Sequence, residues 1–96
     1  MKIYYVYILK CSDDSFYTGI TNSIERRINE HNSGYDDESY TYSRLPVELV
    51  YYEEFQFPNE AIAREKQIKN WGRDKKIALI KSNYELLKQL AKKKFE

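Results

Sequence analysis

The chain has 96 residues, enough for one domain with one modest core. Its single cysteine, Cys11, excludes an internal disulfide framework and a cysteine-built zinc site. With 16 Lys+Arg, 15 Asp+Glu and no long apolar run, the composition excludes a spanning helix and predicts a soluble, cytoplasmic protein.

Residues 3–11, IYYVYILKC, are rich in β-branched and aromatic side chains and predict a strand. SDDS (12–15) is a turn and FYTGI (16–20) a second strand, so the two form an antiparallel hairpin. Asn22 as N-cap with Glu25 three residues on predicts a helix from near Ser23 to around Gly34. Residues 34–45 are polar and tyrosine-rich and read as an ordered but exposed loop. PVELVYYEEF (46–55) gives a third strand. Pro58-Asn59-Glu60 opens a second helix, running to Trp71 with Gly72 as its C-cap. Arg73 to Lys81 forms a short helix, and Ser82 with Glu85 caps a last helix that frays into AKKKFE. The order β-β-α-β-α-α-α predicts a single α+β domain over 1–96, with its core over about 3–81. Its architecture is a small three-stranded antiparallel sheet flanked by helices.

Charge is unevenly spread. Residues 1–50 carry five Lys/Arg against eight Asp/Glu, net −3, and residues 51–96 carry eleven against seven, net +4. A basic half suits a phosphate backbone, and solvated lysine-rich helices explain it equally well.

Several residues break the patterns of their elements. Tyr7 and Leu9 share one face of the first strand, and Tyr17 and Gly19 share one face of the second. A strand tyrosine is ordinarily a packing residue, whereas a glycine within a strand marks a bulge or a place of close approach. In the first helix Ile24, Arg27, Ile28 and His31 follow the i, i+3, i+4, i+7 spacing. Arg27 then lies on the flank of the buried stripe, either laying its stem on the sheet or serving a site, and His31 either complements the helix dipole or joins it. In the second helix Ala61, Glu65 and Ile68 lie on one stripe. A carboxylate there needs a partner: a structural ion pair with Arg27, or a hard cation such as magnesium. Two tyrosines, an arginine, a histidine and a misplaced glutamate together supply a base, an anion clamp and a metal ligand, the parts that phosphodiester hydrolysis requires.

VYI (6–8), YTG (17–19), ERRINEH (25–31) and ARE (63–65) occur in an order and spacing that resemble the GIY-YIG nuclease domain, over Tyr4 to about Ile80. The resemblance is nearest to the small stand-alone bacterial members, and it implies the same three-stranded fold. By position, Tyr7 and Tyr17 match the two motif tyrosines, Gly19 closes the second triplet, and Arg27 matches the arginine that contacts the scissile phosphate. His31 matches a histidine of a subset of the family, and Glu65 the glutamate that holds a single divalent ion, Mg2+ or Mn2+. Val6 and Thr18 depart from the triplets, and Ile20 stands where excision-repair relatives have lysine. Neither Asn70 nor Asn83 clearly matches the family's downstream asparagine.

The resemblance thus implies a metal-dependent nuclease acting on structured or single-stranded DNA, in repair or processing. Tyr7, Tyr17 or His31 would be the base, and Lys66, Lys69 and Arg73, in a basic stretch that includes Trp71, would contact the backbone along with Gly19 and Arg27. The alternatives are a nucleic-acid-binding module with this fold and no turnover, and an interaction protein in which Glu65 and Arg27 form a buried pair.

Overall fold

Val6 to Leu9 are all 0–1% exposed, so the first strand must be covered on both faces. In the computed structural model, which describes residues 2–34, 36 and 38–81, this strand is the middle of the sheet. The elements are β1 (Tyr4–Lys10), β2 (Phe16–Thr21), α1 (Ile24–Asn32), a 3-10 turn (Tyr42–Arg44), β3 (Glu48–Phe55), α2 (Pro58–Lys69) and α3 (Arg73–Ile80). The sheet order is β2-β1-β3 with both pairings antiparallel, as the α+β reading expects. The expected fourth helix from Ser82 and its basic tail lie outside the described residues.

Register fixes what each face carries. Tyr5, Tyr7 and Leu9 stand opposite Thr21, Gly19 and Tyr17, while Val6 and Ile8 stand opposite Ile20 and Thr18. The Val6/Ile8 face meets α2 and α3, and Val6, Ile8, Ala61, Ile68 and Leu79 form the main core. The Tyr7/Leu9 face holds a smaller core of Tyr7, Leu9, Cys11 and Val47, with Ile28 of α1 against it. No helix of the described residues is long and apolar enough to cross a membrane.

Several boundaries differ from the sequence reading by one or two residues, and two of them have a visible local reason. Ser23, not Asn22, caps α1: the Arg26 amide donates to Ser23 Oγ, and Asn22 Oδ1 instead accepts from the Arg26 guanidinium at 2.8 Å. The Thr21 hydroxyl accepts from the Ser23 amide at 3.1 Å, which fixes the chain one residue later than expected. Gly34 follows α1 in the left-handed region, φ 70°, as a helix-ending glycine should. The third strand begins at Glu48 rather than Pro46. Val47 spends its backbone on the Asn32 side chain, which accepts from the Val47 amide at 2.8 Å and donates to its carbonyl at 3.2 Å.

α2 stops at Lys69 with Asn70 as C-cap, and Gly72, in extended backbone, becomes the N-cap of α3. Nor is the 34–45 loop merely exposed, because Thr41 within it is fully buried. Arg73 closes the fold by donating to the Asp14 carbonyl at 2.5 Å and lying 4.7 Å over the Phe16 ring, so α3 is tied to the β1–β2 hairpin.

Thr18 is 3% exposed, and among the described residues its hydroxyl is the buried side-chain polar atom without a partner. An unpaired buried hydroxyl costs about 1–3 kcal/mol. Thr18→Val is therefore expected to raise stability by about 1 kcal/mol in urea unfolding, with an unchanged slope.

Candidate active site

Gly19 lies directly opposite Tyr7 in the hairpin, and the Tyr7 ring is laid across it. A Cβ at Gly19 would collide with the Tyr7 hydroxyl, come 2.5 Å from its Cζ, and stand 3.0 Å from Tyr17 Cε1. The sequence suggested a bulge or an approaching ligand at this glycine. The irregularity of the sheet is elsewhere, between Ile8 and Leu9 in the pairing with β3, and the glycine makes room for the protein's own phenol. Tyr17 sits beside it, its ring centroid 6.2 Å from that of Tyr7.

α1 brings Arg27 and His31 to the same place, one helical turn apart. His31 is the buried residue of the helix, 7% exposed, and so belongs to the interior rather than serving only the dipole. Its Nε2 lies 3.3 Å from the Tyr7 hydroxyl, its Nδ1 2.7 Å from Thr41 Oγ1, and its ring meets Tyr17 edge-on with centroids 5.2 Å apart. Arg27 is near enough to act on the Tyr7 hydroxyl electrostatically. Its Nη1 also lies 3.4 Å from Glu30 Oε1, in a partly exposed pair of the kind that contributes little.

The electrostatics follow from burial. Desolvation pushes the Tyr7 hydroxyl up to about 12; Arg27 pulls it down, while Tyr17 and, more weakly, the Glu65 carboxylate push it further up. Desolvation also lowers His31, helped by the Arg27 charge and opposed by Glu30 and Asp36. Arg27 is held more firmly charged, chiefly by the neighbouring Tyr7 oxygen. The site at neutral pH is therefore one fixed cation beside a neutral phenol and a neutral imidazole.

Glu65 projects from α2 with its side chain 16% exposed, and Lys69 Nζ lies 3.4 Å from its Oε1. The Arg27–Glu65 ion pair that the sequence left open is not formed: Arg27 pairs with Glu30, and Glu65 with Lys69. Among the described residues no three His, Cys, Asp or Glu side chains come together. A lone carboxylate suits a hard cation that keeps most of its waters, and does not suit zinc, which takes three or four protein ligands.

Lys66 and Lys69 are exposed, whereas Arg73 is committed to the hairpin turn. Trp71 is flanked by Arg64 and Lys75, with cation-to-ring distances of 5.0 and 5.1 Å. Part of the positive excess of the C-terminal half is thus structural.

Sequence reasoning missed Thr41, Ser39, Tyr40, Arg44 and Lys76. Tyr40 stacks on Tyr17 at 6.2 Å, and Arg44 lies 3.9 Å over the Tyr40 ring while bonding Asp13 and the Tyr40 carbonyl. Lys76 is half-buried, and burial followed by the Lys69 charge lowers it. The signal for the loop residues was faint: a lone threonine in a polar, tyrosine-rich stretch. A surface depression along Ser23, Glu25, Arg26, Asn29, Glu30 and Ser33 is shallow and lies apart from these groups.

The model of the GIY-YIG catalytic domain matches residues 3–78. A UPF0213 protein of Clostridium perfringens is 53% identical over 78 residues, 81% of this chain and 83% of that one. A UPF0213 protein of Haloquadratum walsbyi is 49% identical over 76 residues, 79% of this chain and 84% of that one. Among solved structures, the NMR structure of the UPF0213 protein of Bacillus halodurans is 41% identical, with TM-score 0.56 and coverage of 84% and 85% of the two chains. That of a protein from E. faecalis is 38% identical, with TM-score 0.60 and 88% of each chain covered.

The packing makes two measurable statements. Gly19→Ala is expected to destabilise the fold by about 1–3 kcal/mol in urea unfolding, because the added methyl must displace the Tyr7 ring. Tyr7 deprotonates more readily unfolded, near 10, than folded, near 12, so its contribution to stability is intact below pH 10 and lost as pH rises to 12. A stability–pH curve for Tyr7→Phe should lack this alkaline fall. The residues that build this site all lie within the matched stretch, and the chain belongs to the GIY-YIG nuclease family.

Proposed function

We propose that this chain is a divalent-metal-dependent nuclease that hydrolyses DNA phosphodiester bonds at the Tyr7 site. The observation that carries the reading is one buried hydroxyl, Tyr7, met by a guanidinium on one side and an imidazole on the other, with Gly19 beneath it. Arg27 binds the scissile phosphate and offsets the charge that grows on its non-bridging oxygens. Its partner Glu30 is shared with solvent and yields readily to a phosphate. A tyrosine near 12 is a poor base by itself, while a neutral histidine is a good one. The attacking water therefore gives a proton to the Tyr7 oxygen as the Tyr7 proton passes to His31 Nε2. The water oxygen bonds to phosphorus, the leaving P–O bond breaks, and the departing oxygen takes a proton from solvent. Tyr17, edge-on to His31, confines the attacking water.

Glu65 would hold Mg2+ or Mn2+, which would supply positive charge to the developing phosphate anion. Exposed Lys66 and Lys69 flank Glu65 on the same helix and serve the substrate backbone. Single-stranded or structured DNA in repair or processing is the substrate class that this reading favours.

The test is incubation with single-stranded, branched and duplex DNA, with and without magnesium. Metal-dependent cleavage is expected, and binding without it would replace the reading with that of a nucleic-acid-binding module. Glu65→Ala and Arg27→Ala should each lower the rate at least about 100-fold, and wild-type rates in both would overturn the assignment of these residues. Because protonated His31 cannot accept the Tyr7 proton, the acid limb of the rate–pH profile should fall below pH 6.5, the ordinary histidine value.

A further inference from the structure

The Tyr7 hydroxyl is 1% exposed with the rest of its side chain, so its hydrogen needs an acceptor inside the protein. His31 Nε2, at 3.3 Å, is in reach. If Nε2 takes that hydrogen, the neutral ring carries its proton on Nδ1, which points at Thr41 Oγ1, 2.7 Å away. Thr41 accepts it and has an outlet for its own hydrogen in Ser39 Oγ, at 3.2 Å. The chain Tyr7, His31, Thr41, Ser39 then runs in one direction, with the hydrogens of Tyr7, His31 and Thr41 all used. Its outer end reaches a crevice of about 10 Å3 lined by Arg27, Glu30, His31, Asp36 and Ser39, room for about one water. The opposite direction puts the Nε2 hydrogen on the Tyr7 oxygen and leaves the buried Tyr7 hydrogen without a partner, the costly arrangement.

We propose that Thr41 is a positioning residue that holds His31 in the tautomer protonated on Nδ1, leaving Nε2 free to receive the Tyr7 proton. Thr41 suits this task because it is fully buried, so no water competes for the Nδ1 hydrogen. The tautomer is a property of the folded chain alone, and only its consequence for rate rests on the nuclease reading above.

His31 is the one histidine of the chain, so two-bond 1H–15N spectra of histidine-labelled protein report it without ambiguity. At neutral pH without DNA, the wild type and Thr41→Ser are expected to show a proton on Nδ1, and Thr41→Val to show it moved to Nε2. A wild-type ring protonated on Nε2, or a Thr41→Val ring identical to wild type, overturns the proposal. Should Thr41→Val fail to fold, the wild-type and Thr41→Ser spectra still decide it. In the cleavage assay Thr41→Val should lose about 10–100-fold in rate and Thr41→Ser should stay within a few-fold of wild type. Wild-type cleavage by Thr41→Val with a shifted tautomer removes the positioning role and leaves the nuclease intact. Absence of cleavage in the wild type removes the nuclease reading, while the spectra still decide the tautomer.

Discussion

The contact between the Tyr7 ring and the bare backbone of Gly19 is the constraint from which the site follows. A side chain on a sheet normally stands up from it, beside its cross-strand neighbour. Here the neighbour has no side chain, and the phenol lies down across the next strand. That posture buries the ring and brings the hydroxyl to where one face of α1 can reach it. Burial then sets the chemistry, since it raises the tyrosine and lowers the histidine by the same desolvation. Two groups that would be unremarkable in water become a neutral donor and a neutral acceptor fixed beside a permanent cation.

The odd composition of α1 has the same origin. The helix has little apolar surface to bury, and its buried residue is His31. It is secured instead by directed bonds: the Ser23 cap, the Asn32 amide paired with the Val47 backbone, and the contacts of His31 on both ring nitrogens. The main core, on the other face of the sheet, carries the hydrophobic burial. One face thus supplies stability while the other is released for polar work, a division expected where a functional site departs from local folding rules.

The fold was legible in the sequence because its elements have clean periods. β-Branched and aromatic content gave β1, the SDDS turn set off β2, Pro58 marked the start of α2, and the order of elements gave the α+β class. The cap of α1 and the role of Gly72 were not legible, since each is decided by a neighbouring side chain or turn rather than by residue preference. At the site, Tyr7, Tyr17, Gly19, Arg27 and His31 were singled out, and the structure brings these five together, with Glu65 near enough for its charge to reach Tyr7. Thr41 was invisible because its importance lies entirely in a contact made ten residues away in sequence, inside a stretch whose composition says only that it is polar. Arg73 has a part that the sequence did not show: besides its charge and place in a basic run, it ties α3 to the hairpin.

Asn32 adds a chemical vulnerability. Its amide serves the Val47 backbone as donor and acceptor at once, next in sequence to His31. Slow hydrolysis of that amide to an acid would delete the donor and set a negative charge against the Val47 carbonyl. The end of the helix would loosen where it meets the sheet. A stored preparation would then age by losing the alignment of His31 first, with the chain uncut and the large core still closed.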